Sequence, residues 1–144
     1  MRRPLQFENG LSACFGCGPK NPLGLRLEFV ETDDGVEIEY AVPAHLGGPP
    51  GIVHGGIQAT LLDEVLCMTA YAKRGTPVVT GELTVRYLAP TPTETPLRIA
   101  GRMLEDLDES FLIEGTIALA TGGKELAYGR GRFFPARFDT ATRR

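Results

Sequence analysis

One stretch of this chain repeats with helical period, and nearly everything around it alternates. Ile57, Leu61, Val65, Met68 and Ala72 recur at spacings of 4, 4, 3 and 4 residues, which is one stripe of an α-helix. The reverse side carries Ala59, Asp63, Leu66, Cys67 and Ala70, again mostly small or apolar. A helix that is apolar nearly all round has to be wrapped by other structure on several sides. Gly75 and Pro77 end the segment.

The wrapping is expected to be strand. Leu25, Leu27 and Phe29 point one way, Arg26 and Glu28 the other. After the turn signal Asp33-Asp34-Gly35, alternation resumes with Val36, Ile38, Tyr40 and Val42, so these two runs read as an antiparallel hairpin. Beyond the helix four more strands are expected, roughly Val78–Leu88, Leu97–Leu104, Ser110–Ala120 and Glu125–Phe134. The breaks fall at Ala89–Pro92, Glu105–Glu109 and Thr121–Lys124. The 18 glycines and 11 prolines suit this many turns. The order strand, strand, helix, four strands describes an α+β chain. Its simplest arrangement is a curved antiparallel sheet around one long central helix, the hot-dog architecture. At 144 residues the chain is expected to form one domain, at 25–135. An irregular lead-in, 1–24, precedes it, and a flexible tail, 136–144, follows.

Composition narrows the function class without naming it. A net charge of −3 argues against a basic face for nucleic acid. No run reaches the ~18 apolar residues of a membrane span. Met1–Glu8 lacks the apolar core of a secretory signal. Three cysteines, an odd number, fit a cytoplasmic protein better than a disulfide framework.

Chemistry concentrates where the helix begins. His54 is followed by Gly55 and Gly56, which let the backbone approach a ligand closely. The first N–H groups of a helix have no partner inside it, so they suit an oxyanion or a polarised carbonyl oxygen. Two turns further on, Asp63 has no Lys or Arg three or four residues away. A carboxylate on such a face either meets a partner from elsewhere or serves as a nucleophile or base. Glu64 is the competing carboxylate. Cys14-Phe15-Gly16-Cys17-Gly18 is half a zinc site or a redox pair by spacing. It has no second Cys-x-x-Cys, and a Cys₂His site would need His45. No metal is therefore expected, and the lead-in reads as packing on the sheet. Lys73, Arg74 and Arg86 are basic groups near the helix, but no nucleotide site is assigned to them.

Val53-His54-Gly55-Gly56-Ile57, with Asp63 nine residues after the histidine, resembles the hot-dog acyl-CoA thioesterases of the phenylacetate-pathway, or PaaI-like, type. The likeness continues through Thr80-Gly81-Glu82-Leu83-Thr84-Val85-Arg86-Tyr87-Leu88-Ala89-Pro90 and spans about Leu25 to Phe134. It implies hydrolysis of an acyl-CoA thioester, with Asp63 as nucleophile or general base. Gly55 or Gly56 would offer an N–H to the thioester oxygen, and His54 would orient the loop or the carbonyl. Thr80 would help position water, and Val53, Ile57 and Glu82 would line the substrate site. No cofactor is implied. The implied working unit is a homodimer or homotetramer, with each site shared between subunits. Three other readings stay open: an acyl-CoA-binding hot-dog protein without turnover, a hot-dog enoyl hydratase or dehydratase, and, ranked last, a zinc-stabilised scaffold built on Cys14 and Cys17.

Overall fold

The helical stretch forms one helix, α1 (Gly55–Arg74), in the computed structural model, which describes residues 1–7 and 12–136. Around it run β1 (Arg3–Pro4), β2 (Val30–Glu31), β3 (Gly35–Ala41), β4 (Val78–Tyr87), β5 (Pro96–Asp106), β6 (Phe111–Leu119) and β7 (Glu125–Pro135). They make a seven-stranded antiparallel sheet in the order β1-β2-β3-β5-β6-β7-β4. This is the hot-dog arrangement, with α1 lying on the sheet. The four strands after the helix fall where alternation puts them. The β5–β6 and β6–β7 turns use Asp108, Gly122 and Gly123 at positive φ.

What lets α1 sit so close to the sheet is a row of glycines. Gly101, Gly115 and Gly129 are cross-strand partners on β5, β6 and β7. A Cβ on Gly129 would lie 3.1 Å from Leu62 Cδ1, and one on Gly101 would lie 2.6 Å from Thr69 Oγ1. The helix side with the deepest residues is accordingly Gln58, Leu61, Leu62, Val65, Leu66, Thr69 and Ala70. It is rotated from the expected stripe, whose Ile57, Met68 and Ala72 are only partly buried. Glycine in this chain thus serves helix-on-sheet packing as much as turns.

The amino-terminal expectation needs correction. Residues 25–29 keep their alternation, with Leu25, Leu27 and Phe29 buried, yet the strand is only Val30–Glu31. Arg26 is in the left-handed region at φ 53°, and the Leu25 and Leu27 N–H groups donate to Phe15 and Gly16 carbonyls instead of to a strand. The lead-in also meets the helix as well as the sheet edge. Gly16 lies against the Glu64 side chain, and Phe7 meets Phe29 and Tyr71 edge to face. The expected tail falls almost wholly outside the described residues.

Gly75, left-handed at φ 67°, closes α1 by donating to the Tyr71 carbonyl. The last-turn cations are held by the fold. Lys73 Nζ donates to the Asp33 carbonyl at 2.7 Å, while Arg74 pairs with Asp106 and lies 5.2 Å over the Phe111 ring.

Candidate active site

The start of α1 is built by two polar contacts. His54 is the N-cap residue, and its Nδ1 accepts the Gly56 N–H at 2.9 Å. That bond requires Nδ1 to be unprotonated, so the neutral ring keeps its proton on Nε2. Tyr87, at the end of β4, donates its hydroxyl to the Gly55 carbonyl at 2.7 Å. Among the described residues the Gly55 N–H has no acceptor, so of the two glycine N–H groups it is the one left to offer. A Cβ on Gly56 would press to 3.2 Å of His54 Nδ1, whereas one on Gly55 would meet only ordinary contact with Tyr87.

Behind this turn is a buried clamp that sequence reasoning missed. Gln58 Nε2 donates to the Val53 carbonyl at 3.1 Å and Gln58 Oε1 accepts from Thr91 Oγ1 at 2.8 Å. The Val53 N–H completes it by donating to the Thr91 carbonyl. Gln58 and Thr91 are 4% and 0% exposed, so neither can turn to water instead. Gln58→Leu would strand the Val53 carbonyl and the Thr91 hydroxyl. An expected loss of about 2–4 kcal/mol, or roughly 5–15 °C in Tm, is checked by thermal unfolding.

Asp63, on α1, finds its partner on the neighbouring β4. Its Oδ1 accepts from Thr80 Oγ1 at 2.5 Å. A β-bulge makes this possible. The β4–β7 register shifts between Thr80 and Glu82, where a Cβ on Gly81 would sit 2.3 Å from Phe134 Cε2. Without the extra residue, Thr80 would share a face with Glu82, Thr84 and Arg86 and point away from α1.

Asp63 and Thr80 line a cavity of about 1000 Å³ together with Cys14, Cys17, Glu64 and Cys67. Cys67 Sγ is 3.6 Å from Thr80 Oγ1. Burial, then the Asp63 charge, push its thiol up to about 12, so it stays protonated and is a poor nucleophile near neutral pH. Burial and the same charge hold the Glu64 carboxyl above its ordinary range. Burial and the Glu64 charge likewise raise the Cys17 thiol.

Of the residues singled out by sequence, Asp63 and Thr80 meet, and His54, Gly55 and Gly56 form the helix start. Val53 is in the core, 1% exposed, and Ile57 packs against that core, so neither wall residue is freely presented. Glu82 is not brought to Asp63. It lines a separate cavity of about 550 Å³ with Arg86, Arg130 and Arg132 on the face away from α1.

The family model of the thioesterase superfamily matches residues 50–124, from just before the His54 turn through β6. The chain belongs to the thioesterase superfamily. A solved thioesterase superfamily protein, RHA08564, is 32% identical with a TM-score of 0.76, over 85% of this chain and 60% of that one. The BH2602 protein of Bacillus halodurans, solved with CoA, is 28% identical with a TM-score of 0.69, over 80% of this chain and 77% of that one. The Saccharomyces cerevisiae protein MIOREX complex component 3 is 31% identical over 94 residues, 62% of this chain and 34% of that one. This superfamily member therefore spans about a third of its yeast relative's length. No helix among its described residues is long and apolar enough to cross a membrane.

Proposed function

We propose that this superfamily member is an acyl-CoA thioesterase of the PaaI-like type, working as a homodimer or a dimer of dimers. The observation that carries the reading is the Asp63–Thr80 pair in the wall of a large cavity. Thr80 holds Oδ1 and, among the described residues, no group occupies Oδ2. Asp63 then attacks the thioester carbon or takes a proton from the water that does. The carbonyl oxygen gains negative charge, which a helix N-terminal N–H stabilises. Collapse of the intermediate breaks the C–S bond. Where Asp63 acts as base, it returns the proton it took from water to the leaving sulfur. Where it acts as nucleophile, the sulfur leaves as thiolate and water then hydrolyses the acyl–Asp63 anhydride, so that both routes give the free acid and CoA.

The two halves of this machinery do not meet within one copy. Gly55 and Asp63 are eight residues apart on one helix, about 12 Å along its axis. A base and an oxyanion donor serving one carbonyl must both lie about 3 Å from the reacting group. A second copy whose helix runs antiparallel would bring its Gly55 towards this Asp63. The surface for such a copy is at hand, because β4 is a ten-residue strand that, among the described residues, lies at the sheet edge bonded only to β7, with Val79 and Tyr87 exposed. A CoA thioester as substrate is supported by the Bacillus relative solved with CoA. Three cysteines, an odd number, support a cytoplasmic location.

His54 is less suited to the base role that a hydratase would ask of it, because its Nδ1 already caps Gly56. A panel of short-chain, medium-chain and aromatic acyl-CoAs, followed by thiol release, tests the proposal. Turnover above about 1 s⁻¹ on at least one member is expected. Saturable binding without thiol release would make the chain a binding protein. Hydration of an enoyl-CoA with its thioester intact would make it a hydratase.

A further inference from the structure

The Cys-x-x-Cys of the lead-in has half the ligands of a metal site, and the fold supplies another group from a place that spacing cannot show. Glu64 lies 47 residues beyond Cys17, yet the Cys14 and Cys17 sulfurs and a Glu64 carboxylate oxygen lie within 4.8 Å of one another. We propose that Cys14, Cys17 and Glu64 hold one zinc ion beside Asp63, in the wall of the same cavity.

The distances suit such an ion. Zinc bonds of about 2.3 Å to sulfur and about 2.1 Å to oxygen set the S···O edge of a tetrahedron at about 3.6 Å. Cys14 Sγ and Glu64 Oε1 are 3.6 Å apart. The backbone around the pair is a tight knuckle. The Gly18 N–H donates to the Cys14 carbonyl, and Ser12 Oγ accepts the Cys14 N–H.

Both glycines of the motif are required by this packing. A Cβ on Gly18 would fall 2.3 Å from Cys14 N, and one on Gly16 would fall 2.2 Å from Glu64 Cδ. Gly16 is thus the residue that lets the knuckle close onto the Glu64 side chain. The Leu25 and Leu27 N–H groups then tie the knuckle to the core through the Phe15 and Gly16 carbonyls.

Two thiolates favour zinc over hard cations such as magnesium or calcium. Three protein ligands leave a fourth position, and all three ligand residues line the cavity, so water or a ligand group completes the set from there. Binding replaces the Cys14–Glu64 hydrogen bond and releases protons from the thiols.

The inference does not depend on the thioesterase reading, and its test needs no turnover. The whole chain, produced without a histidine tag, is analysed for zinc by mass spectrometry of the elements. The metal-stripped protein is then titrated with cobalt(II). About one zinc per chain and a thiolate-to-cobalt charge-transfer band are expected. Cys17→Ser should lose both. Glu64→Gln keeps the shape of the side chain and both thiols, so it should still fold, and it should bind zinc at least about tenfold more weakly. The proposal is overturned by a folded wild-type chain with reactive thiols that retains no added zinc. It is equally overturned if Cys17→Ser or Glu64→Gln binds as tightly as the wild type. A Cys14–Cys17 disulfide in protein kept under reducing conditions, seen as a 2 Da loss, would also overturn it and mark a redox pair.

Discussion

Replacing Asp63 by asparagine is expected to lower kcat for acyl-CoA hydrolysis by about 10²–10⁴-fold while leaving the fold in place. Asparagine has nearly the same shape and its Oδ1 still accepts from Thr80, so the 2.5 Å contact survives in kind. It lacks the charge needed to attack a carbonyl or draw a proton from water. KM should change much less than kcat, because the loss falls on the transition state. Wild-type turnover by a folded Asp63→Asn protein would remove this residue from the chemistry.

The same variant tests whether the site is shared between copies. Gly55→Pro is its natural counterpart, since it deletes the one N–H without an acceptor at the first helical position, where proline is well tolerated. His54 already has the extended backbone, φ −55° and ψ 136°, that a following proline demands. Alone, this change should cost about 10²–10³ in kcat, the usual loss of an oxyanion donor. In mixed dimers of Asp63→Asn and Gly55→Pro chains, one of the two shared sites would carry both defects and the other neither. Random mixing should then restore about a quarter of wild-type activity. If both groups acted from one chain, mixing would restore nothing.

The sequence makes regular elements legible and misses the places where regularity is broken on purpose. Helical period places α1, and alternation places β4 to β7, because each pattern is the burial pattern itself. Alternation fails at Leu25–Phe29, since a segment bonded to a loop can bury every second residue as a strand does, even with Arg26 left-handed between two of them. It also fails at Gly81, where one bulge residue changes the phase of β4 and turns Thr80, not Glu82, toward Asp63.

Within the site, the local pieces can be read and the long-range ones cannot. The helix start at His54-Gly55-Gly56 announces itself, because capping is a matter of adjacent residues. Gln58 reads as an ordinary polar helix residue, and only the fold reveals the Thr91 and Val53 groups it satisfies. The same holds for Glu64, whose meeting with Cys14 and Cys17 depends on how the lead-in crosses the helix.

Gly115→Ala should be among the most damaging single-methyl changes in the protein, lowering stability by about 3 kcal/mol, or roughly 6–12 °C in Tm. The new Cβ would sit 2.6 Å from the Ala100 carbonyl oxygen and 2.8 Å from Leu66 Cδ2. The side chain has freedom to move, but the carbonyl belongs to β5 and is fixed by its pairing with β6. Relief therefore requires β6 to shift against β5, and that shift disturbs the seat of α1, where Leu62, Val65 and Leu66 are all 0% exposed. Gly115→Val adds two more methyl groups at the same place and is expected to abolish folding. Gly122→Ala is the control, because that turn glycine has open space around it and only its φ of 84° is disturbed, at a cost of about 1 kcal/mol. Adding Leu66→Ala to Gly115→Ala should cost less than the sum of the two single changes, since it removes one of the two clashes. Strict additivity would place the damage elsewhere than between helix and sheet. The consequence reaches the chemistry, because Asp63 is positioned by the same helix: an α1 whose seat on the glycine row is disturbed holds Asp63 less well against Thr80.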